Sequence, residues 1–202
     1  MTRSLDPAIT IRRVRSDEGP QIRALRLEAL ADPVASIAFL ETTEQALARP
    51  EAEWRERAER NATAADQAGF VAVLDGEHVG SVVVFPRRAG EPDYFQRVPA
   101  VDTATLVGVY VSPRARGRGV IDALIRAAQD WARDAGYPEL TLDVHERNVV
   151  VIATYRRAGF DVPLLSDYCR TADLHGLIVG FGGCTDAELD AALAVLARVL
   201  AR

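Results

Sequence analysis

The stretch that decides the fold is Val109-Tyr110-Val111-Ser112-Pro113-Arg114-Ala115-Arg116-Gly117-Arg118-Gly119-Val120. It follows an apolar run that begins at Leu106, and it opens into an amphipathic segment, Ile121 to Ala135. A strand, a glycine-rich turn and a helix N-terminus in this order form a binding site for a phosphorylated ligand. The free N–H groups of the first helical turn converge there, and the helix dipole adds about half a positive charge.

The residues before this stretch predict one strand and two helical segments. Ile9 to Val14 alternates like a strand, and Ser16 or Asp17 is the expected cap of the helix that follows. That helix is expected to end before Asp32-Pro33. A second helical stretch covers about residues 43–60, with an interruption at Arg49-Pro50.

The remaining pattern completes the order β-α-α-β-β-β-α-β-α-β. Two apolar runs joined at Asp75-Gly76 predict a hairpin, and residues 86–103 read as a surface loop. After the amphipathic helix, residues 140–144 predict a strand, and Asn148 is expected to start a short helix over 149–158. This order predicts an α/β protein with a mixed sheet and helices on both faces.

Composition narrows the class of protein. A chain of 202 residues fits one domain, or one domain with an appendage. Its net charge of −5 argues against a nucleic-acid-binding surface. Two distant cysteines and three scattered histidines give no metal-ligand spacing, so we expect no metal site. Since no apolar run reaches membrane length and no signal core is seen, we expect a cytoplasmic protein without membrane association.

The glycine-rich turn Arg116-Gly117-Arg118-Gly119, called the Arg-Gly turn below, can be compared with known kinds of phosphate-binding turn. A dinucleotide-binding turn has a different glycine spacing, and a Walker-type P-loop is excluded because the sequence contains no lysine. A solvated turn that only caps a core helix stays open on spacing alone.

Two motifs taken together resemble a known family. Val-x-Pro-x-x-Arg-Gly-x-Gly at residues 111–119, followed by Asn148 and by Ala-Thr-Tyr-x-x-Ala-Gly-Phe at residues 153–160, resembles the GCN5-related N-acetyltransferase (GNAT) superfamily. The resemblance covers about residues 9–162. It implies the GNAT fold with splayed central strands, and acetyl-coenzyme A (acetyl-CoA) as co-substrate.

The resemblance also implies roles for particular residues. Val109 is expected to polarise the thioester carbonyl through its N–H group, and Tyr155 is expected to protonate the departing thiolate. The alternative for Tyr155 is a core aromatic residue. The cofactor would lie along the strand ending at Val111 and on the turn. The residues expected to bind it are Val109, Val111, Arg116, Gly117, Arg118, Gly119, Val120, Ile121 and Asn148.

The sequence departs from the family pattern at Ile121, where the family has a small residue. A bulky side chain there crowds the pyrophosphate or shifts the helix start, so a catalytically degenerate CoA-binding or structural module is the alternative function. No motif in the sequence identifies the general base. His145 and Glu146 are the candidates at the end of the predicted strand, Asp143 shares a face with His145, and Glu28 is a further candidate.

Residues 1–163 are therefore expected to form the GNAT domain, and residues 164–202 a C-terminal strand-helix extension. The extension resembles the end of fold-type-I pyridoxal-phosphate aminotransferases, although a chain without lysine forms no Schiff base. We expect its apolar stripe to pack on the core, with a partner subunit in a homodimer as the alternative. The acceptor is expected to be a small-molecule or peptide amine, and the negative charge favours a cationic one.

Overall fold

The computed structural model of the chain describes residues 4–35, 38–93, 97–144 and 148–160, with the backbone of residues 179–180. The strands are β1 (Ile9–Arg13), β2 (Ala68–Leu74), β3 (Glu77–Arg87), β4 (Thr103–Val111), β5 (Leu140–Asp143) and the two-residue β6 (Val179–Gly180). The helices are α1 (Gly19–Leu30), α2 (Thr43–Ala48), α3 (Glu51–Thr63), α4 (Val120–Asp134) and α5 (Val149–Arg157).

The strands form one mixed sheet in the order β1-β2-β3-β4-β5-β6. The first four strands pair antiparallel, β4 and β5 pair parallel, and β5 and β6 pair antiparallel. The Asp75-Gly76 hairpin is confirmed. Both residues have positive φ, 52° and 81°, as a tight two-residue turn between right-twisted strands requires.

The two faces of the sheet carry separate cores, as alternation along β2 shows. Phe70 and Ala72 join the large cluster with Leu124 and Ile125 of α4, whereas Val71 packs with Ala58 of α3 on the opposite face. All seven residues of β2 are buried except Val73, which is partly buried, because helices cover both faces. The expected α/β fold with helices on both faces is therefore confirmed.

Two local expectations need correction. Neither Ser16 nor Asp17 caps α1; its N-cap is Glu18, whose side chain makes no capping bond. The Glu18 carboxylate is already occupied, because it accepts bonds from the Arg12 guanidinium and from the Arg15 N–H. The second helical stretch is two helices, since Arg49 and Pro50 both have extended backbone between α2 and α3.

The proposed extension at residues 164–202 lies outside the described residues, apart from the backbone of Val179–Gly180. Within the described residues, no helix is both long and apolar enough to cross a membrane.

Candidate active site

The central strands separate halfway along β4. Pairing between β4 and β5 includes Ala104, Thr105 and Leu106, and it stops at Leu106 opposite Leu142. Residues 107–111 of β4 continue past this point with a partner only on the β3 side, among the described residues. One edge of β4 is therefore left with backbone N–H and C=O groups that an extended ligand can pair with.

A β-bulge shapes this unpaired stretch. Val83 pairs with Val107 and Ser81 pairs with Tyr110, so the single residue between Val83 and Ser81 faces two residues of β4. Gly108 supplies the positive φ (63°) that such a bulge needs. The Ser81 hydroxyl donates a 3.0 Å hydrogen bond to the Gly108 carbonyl, which holds that oxygen toward β3.

The separation opens a cleft of about 1100 Å³ between α1, β4, the Arg-Gly turn and α5. The cleft brings together most of the residues that the sequence singled out. Those that line it are Val109, Val111, Arg116, Gly117, Gly119, Val120, Ile121, Asp143, Asn148 and Tyr155.

The Arg-Gly turn presents a helix N-terminus to this cleft. Gly117 and Gly119 both have left-handed backbone, with φ of 75° and 76°, and α4 begins at Val120. Gly119 is the N-cap, and no side chain caps the helix. The first N–H groups of α4 therefore have neither intrahelical acceptors nor a capping side chain. Together with the helix dipole they form an anion-binding position.

The two arginine side chains of the turn are held by carboxylates. Arg116 pairs with Asp32 at the end of α1 and also donates to the Val111 carbonyl at 3.1 Å. Arg118 pairs with Asp6 at 2.9 Å, and its carbonyl accepts from the Asp6 N–H. These contacts fix the turn from both sides. Arg116, Gly117 and Gly119 line the cleft, whereas Arg118 does not.

Ile121 is the second residue of α4, which begins at Val120. Its partly buried side chain packs against the large core and also lines the cleft. An isoleucine at this position therefore lies next to the expected pyrophosphate position, where the Kd of the cofactor reports any crowding.

Tyr155 lies on α5 and lines the cleft. It is 4% exposed and meets Phe160 edge to face at 6.0 Å. Burial raises the pKa of its hydroxyl well above the ordinary value of 10, so the group stays protonated at neutral pH. Asn148 is the N-cap of α5, yet its side chain makes no capping bond and lines the same cleft.

The candidates for the general base have different outcomes. His145 and Glu146 lie outside the described residues. Asp143 lies at the exposed end of β5 and is engaged by a two-pronged bond from Arg97, at 3.0 and 2.9 Å. Glu28 does not line the cleft; its carboxylate accepts a 3.2 Å bond from Tyr110, which does.

Tyr110 and Arg57 were not singled out by the sequence, although both line the cleft. Burial and the Glu28 charge raise the pKa of Tyr110 to about 12. In the sequence, the only indication of a role for Tyr110 was its place in the stretch of residues 109–120 that decides the fold. Arg57 lies on α3 in a run of charged residues, and nothing local distinguishes it from its neighbours.

Comparison with known proteins identifies the class. Residues 31–160 match the model of the Acetyltransferase (GNAT) family. The chain belongs to this family.

Curated relatives match over part of their length. Aminoglycoside N(6')-acetyltransferase type 1 of Stenotrophomonas maltophilia is 39% identical over 98 residues, which are 48% of this chain and 61% of the relative. Streptothricin acetyltransferase of Streptomyces lavendulae is 36% identical over 97 residues, 48% of this chain and 46% of the relative. The chain therefore spans about half of the length of these two relatives.

Solved structures agree on the fold. A GNAT-family acetyltransferase from Streptococcus pneumoniae superposes with a TM-score of 0.63 at 18% identity, over 77% of this chain and 86% of that one. AAC(6')-Iy, in complex with a bisubstrate analogue of CoA and acetylneamine, superposes with a TM-score of 0.54 at 23% identity, over 75% of this chain and 90% of that one. These likenesses establish the GNAT fold.

Proposed function

We propose that the protein is an acetyl-CoA-dependent N-acetyltransferase that transfers the acetyl group directly to a primary amine of a small molecule or peptide. The proposal rests on the observation that three features of an acetyltransferase site border the same cleft. The open edge of β4, the uncapped N-terminus of α4 and the buried hydroxyl-bearing Tyr155 all line it or border it. Membership of the family supports the same activity, and so do the relatives named aminoglycoside N(6')-acetyltransferase and streptothricin acetyltransferase.

The cofactor has a matching surface in this cleft. Its pyrophosphate would lie on the turn at residues 116–121, against the N–H groups of the first turn of α4, where the helix dipole favours negative charge. Its pantetheine arm would pair with residues 107–111, as an added strand does. Asn148 would border the arm from the α5 side, since its amide is not used as a helix cap.

Direct transfer then needs three polar groups. The amine nitrogen attacks the thioester carbonyl carbon, and the oxygen gains negative charge that the Val109 N–H would stabilise. The C–N bond forms as the C–S bond breaks, and the departing thiolate takes a proton from Tyr155. The amine loses its proton to a base, for which His145 and Glu146 remain our proposed groups.

A thiol-release assay tests this function. Acetyl-CoA is offered with an aminoglycoside, a polyamine and peptides with a free N-terminus, and the acetylated product is identified by mass spectrometry. Amine-dependent release with an acetylated product is the expected result. Binding of CoA with no release for any amine favours the alternative, a catalytically degenerate module.

A further inference from the structure

Almost all charged residues that line the cleft have an ion-pair partner. Nine charged side chains line it in the described part of the chain, and eight of these have an ion-pair partner. Arg116 pairs with Asp32, and Arg157 lies 3.7 Å from Asp122. Each of the four carboxylates that line the cleft is matched by an arginine, so none of them offers an uncompensated negative charge.

Arg57 is the exception. Its guanidinium lies over the Trp54 ring, 5.4 Å from the centroid, and makes no hydrogen bond or ion pair with a described residue. The residue is half-buried and lines the cleft from α3. Burial lowers its pKa, and the nearby Arg49 adds to the effect, but a guanidinium stays charged at neutral pH.

The charges next to Arg57 balance one another. Arg26 and Arg49 both pair with Glu41, which is 2.8 Å from Arg26, and Arg49 also pairs with Glu53 at 2.7 Å, so among the described residues the charge of Arg57 itself is the one left uncompensated. Phe39 supplies an aromatic face under the Arg26 guanidinium at 4.3 Å. Five arginines and four carboxylates line the cleft, so its described wall has a positive excess although the whole chain carries −5. A ligand meets the local charge first, because distant charges are screened over about 10 Å.

We propose that Arg57 binds an oxyanion of the amine acceptor, so that the acceptor carries a carboxylate or a phosphate in addition to its amine. The planar fork of a guanidinium suits both groups. This inference rests on the proposed acetyl transfer and names the class of acceptor for it. A free amino acid, a short peptide or an amino-alkyl phosphate fits this class, whereas a polyamine or an aminoglycoside lacks the acidic group.

Matched acceptor pairs test the inference. Glycine, diglycine and triglycine are compared with their C-terminal amides, which keep the amine and lose the charge, and ethanolamine is compared with its phosphate ester. We expect one or more acidic members to exceed their neutral partners by about 10- to 100-fold in kcat/KM, mostly through KM, the range of a charged hydrogen bond. The peptide and ethanolamine arms distinguish a carboxylate from a phosphate.

Substitution ties the preference to this residue. In Arg57→Gln the ratio of kcat/KM for the acidic acceptor to kcat/KM for its neutral partner is expected to fall to about 1, and Arg57→Lys is expected to retain part of the preference. Arg55→Gln is the control, because Arg55 is exposed on the same helix and pairs with Glu51 outside the cleft. Circular dichroism and thermal unfolding confirm that each variant is folded.

Calorimetry on the CoA-saturated protein measures the Kd of each acceptor of the same pairs in the absence of acetyl transfer. Ratios near 1 for every pair in the unsubstituted protein, or a ratio that survives Arg57→Gln, overturn the inference. Selective binding of acidic acceptors with no consumption of acetyl-CoA leaves the Arg57 subsite standing and refutes the proposed transfer instead.

Discussion

Leu106 and Leu142 form the last rung that the parallel strands β4 and β5 share. Gly108 follows two residues later, with the positive φ of 63° that sets the bulge in β4. The end of one pairing and the distortion of the other fall at the same point of the strand. The cleft is therefore built by backbone geometry and does not depend on one large side chain.

Gly108→Ala is expected to damage transfer more than folding. A Cβ at Gly108 meets no atom within 4 Å, so the cost is backbone strain of about 1–2 kcal/mol. Relaxing that strain moves the Val109 N–H, and kcat should fall while the Kd of CoA changes little. Gly90→Ala is the matched control, since Gly90 also has positive φ (76°) and open space but lies in a loop away from the cleft. Equal loss of kcat in both variants would contradict the assignment.

Tyr155→Phe is expected to lower kcat by about 10²- to 10⁴-fold, the usual contribution of a general acid. CoA affinity should stay within about twofold, because the aromatic ring still fills its place in the core. Tyr137→Phe serves as control, since its hydroxyl donates to the Asp66 carbonyl at 2.7 Å outside the cleft. Burial raises the pKa of Tyr155, so loss of its proton should not limit the rate at any pH below 10. A Tyr155→Phe enzyme with unchanged kcat removes the residue from its role.

Ile121→Ala separates packing from crowding. The side chain packs against the large core, so its truncation should cost about 1–3 kcal/mol of unfolding free energy. We expect the Kd of acetyl-CoA to change by less than about threefold, because the N–H groups of the helix start stay in place. Tightening by tenfold or more would instead mean that the isoleucine crowds the pyrophosphate, as the departure from the family pattern at this position implies.

Glu18→Gln is expected to destabilise the fold at neutral pH and not in acid. Burial opposes ionisation of Glu18, but bonds from Arg12 and from the Arg15 N–H outweigh it and lower its pKa to about 2. A folded-state pKa below the unfolded value of about 4.5 gives stability that is present above pH 4.5 and lost as the pH falls toward 2. Urea unfolding should show a deficit of about 1–3 kcal/mol at pH 7 that disappears near pH 2. A deficit of the same size at both pH values would assign the effect to packing.

Local patterns predicted much of the fold. The Asp75-Gly76 turn, the alternation of β1 and the start of α4 after Gly119 each depend on residues close in sequence, so their chemistry is readable from the chain. The prediction for the cap of α1 was wrong because the partners of Glu18 are distant in sequence. The Glu18 carboxylate accepts hydrogen bonds from Arg12 on β1 and lies 3.3 Å from His78 on β3. A local sequence motif does not reveal partners that lie on other elements.

The same limit applies to the site. The Arg-Gly turn and Tyr155 stand in short motifs, but the pairing of Arg116 with Asp32 spans 84 residues and that of Arg97 with Asp143 spans 46. Such pairings decide which charges are neutralised and which remain available. Arg57 could therefore be recognised only when the partners of its neighbours were known.

Calorimetric titration with acetyl-CoA tests the central claim most directly, with Gly119→Ala and Gly136→Ala as a matched pair at the two ends of α4. Both glycines have positive φ, but a Cβ at Gly119 would clash with the Ser4 carbonyl oxygen, whereas one at Gly136 meets nothing within 4 Å. We predict saturable binding by the unsubstituted protein and by Gly136→Ala, and binding weakened at least tenfold in Gly119→Ala. No binding at millimolar acetyl-CoA, or equal affinity in all three proteins, would contradict a cofactor site at the Arg-Gly turn.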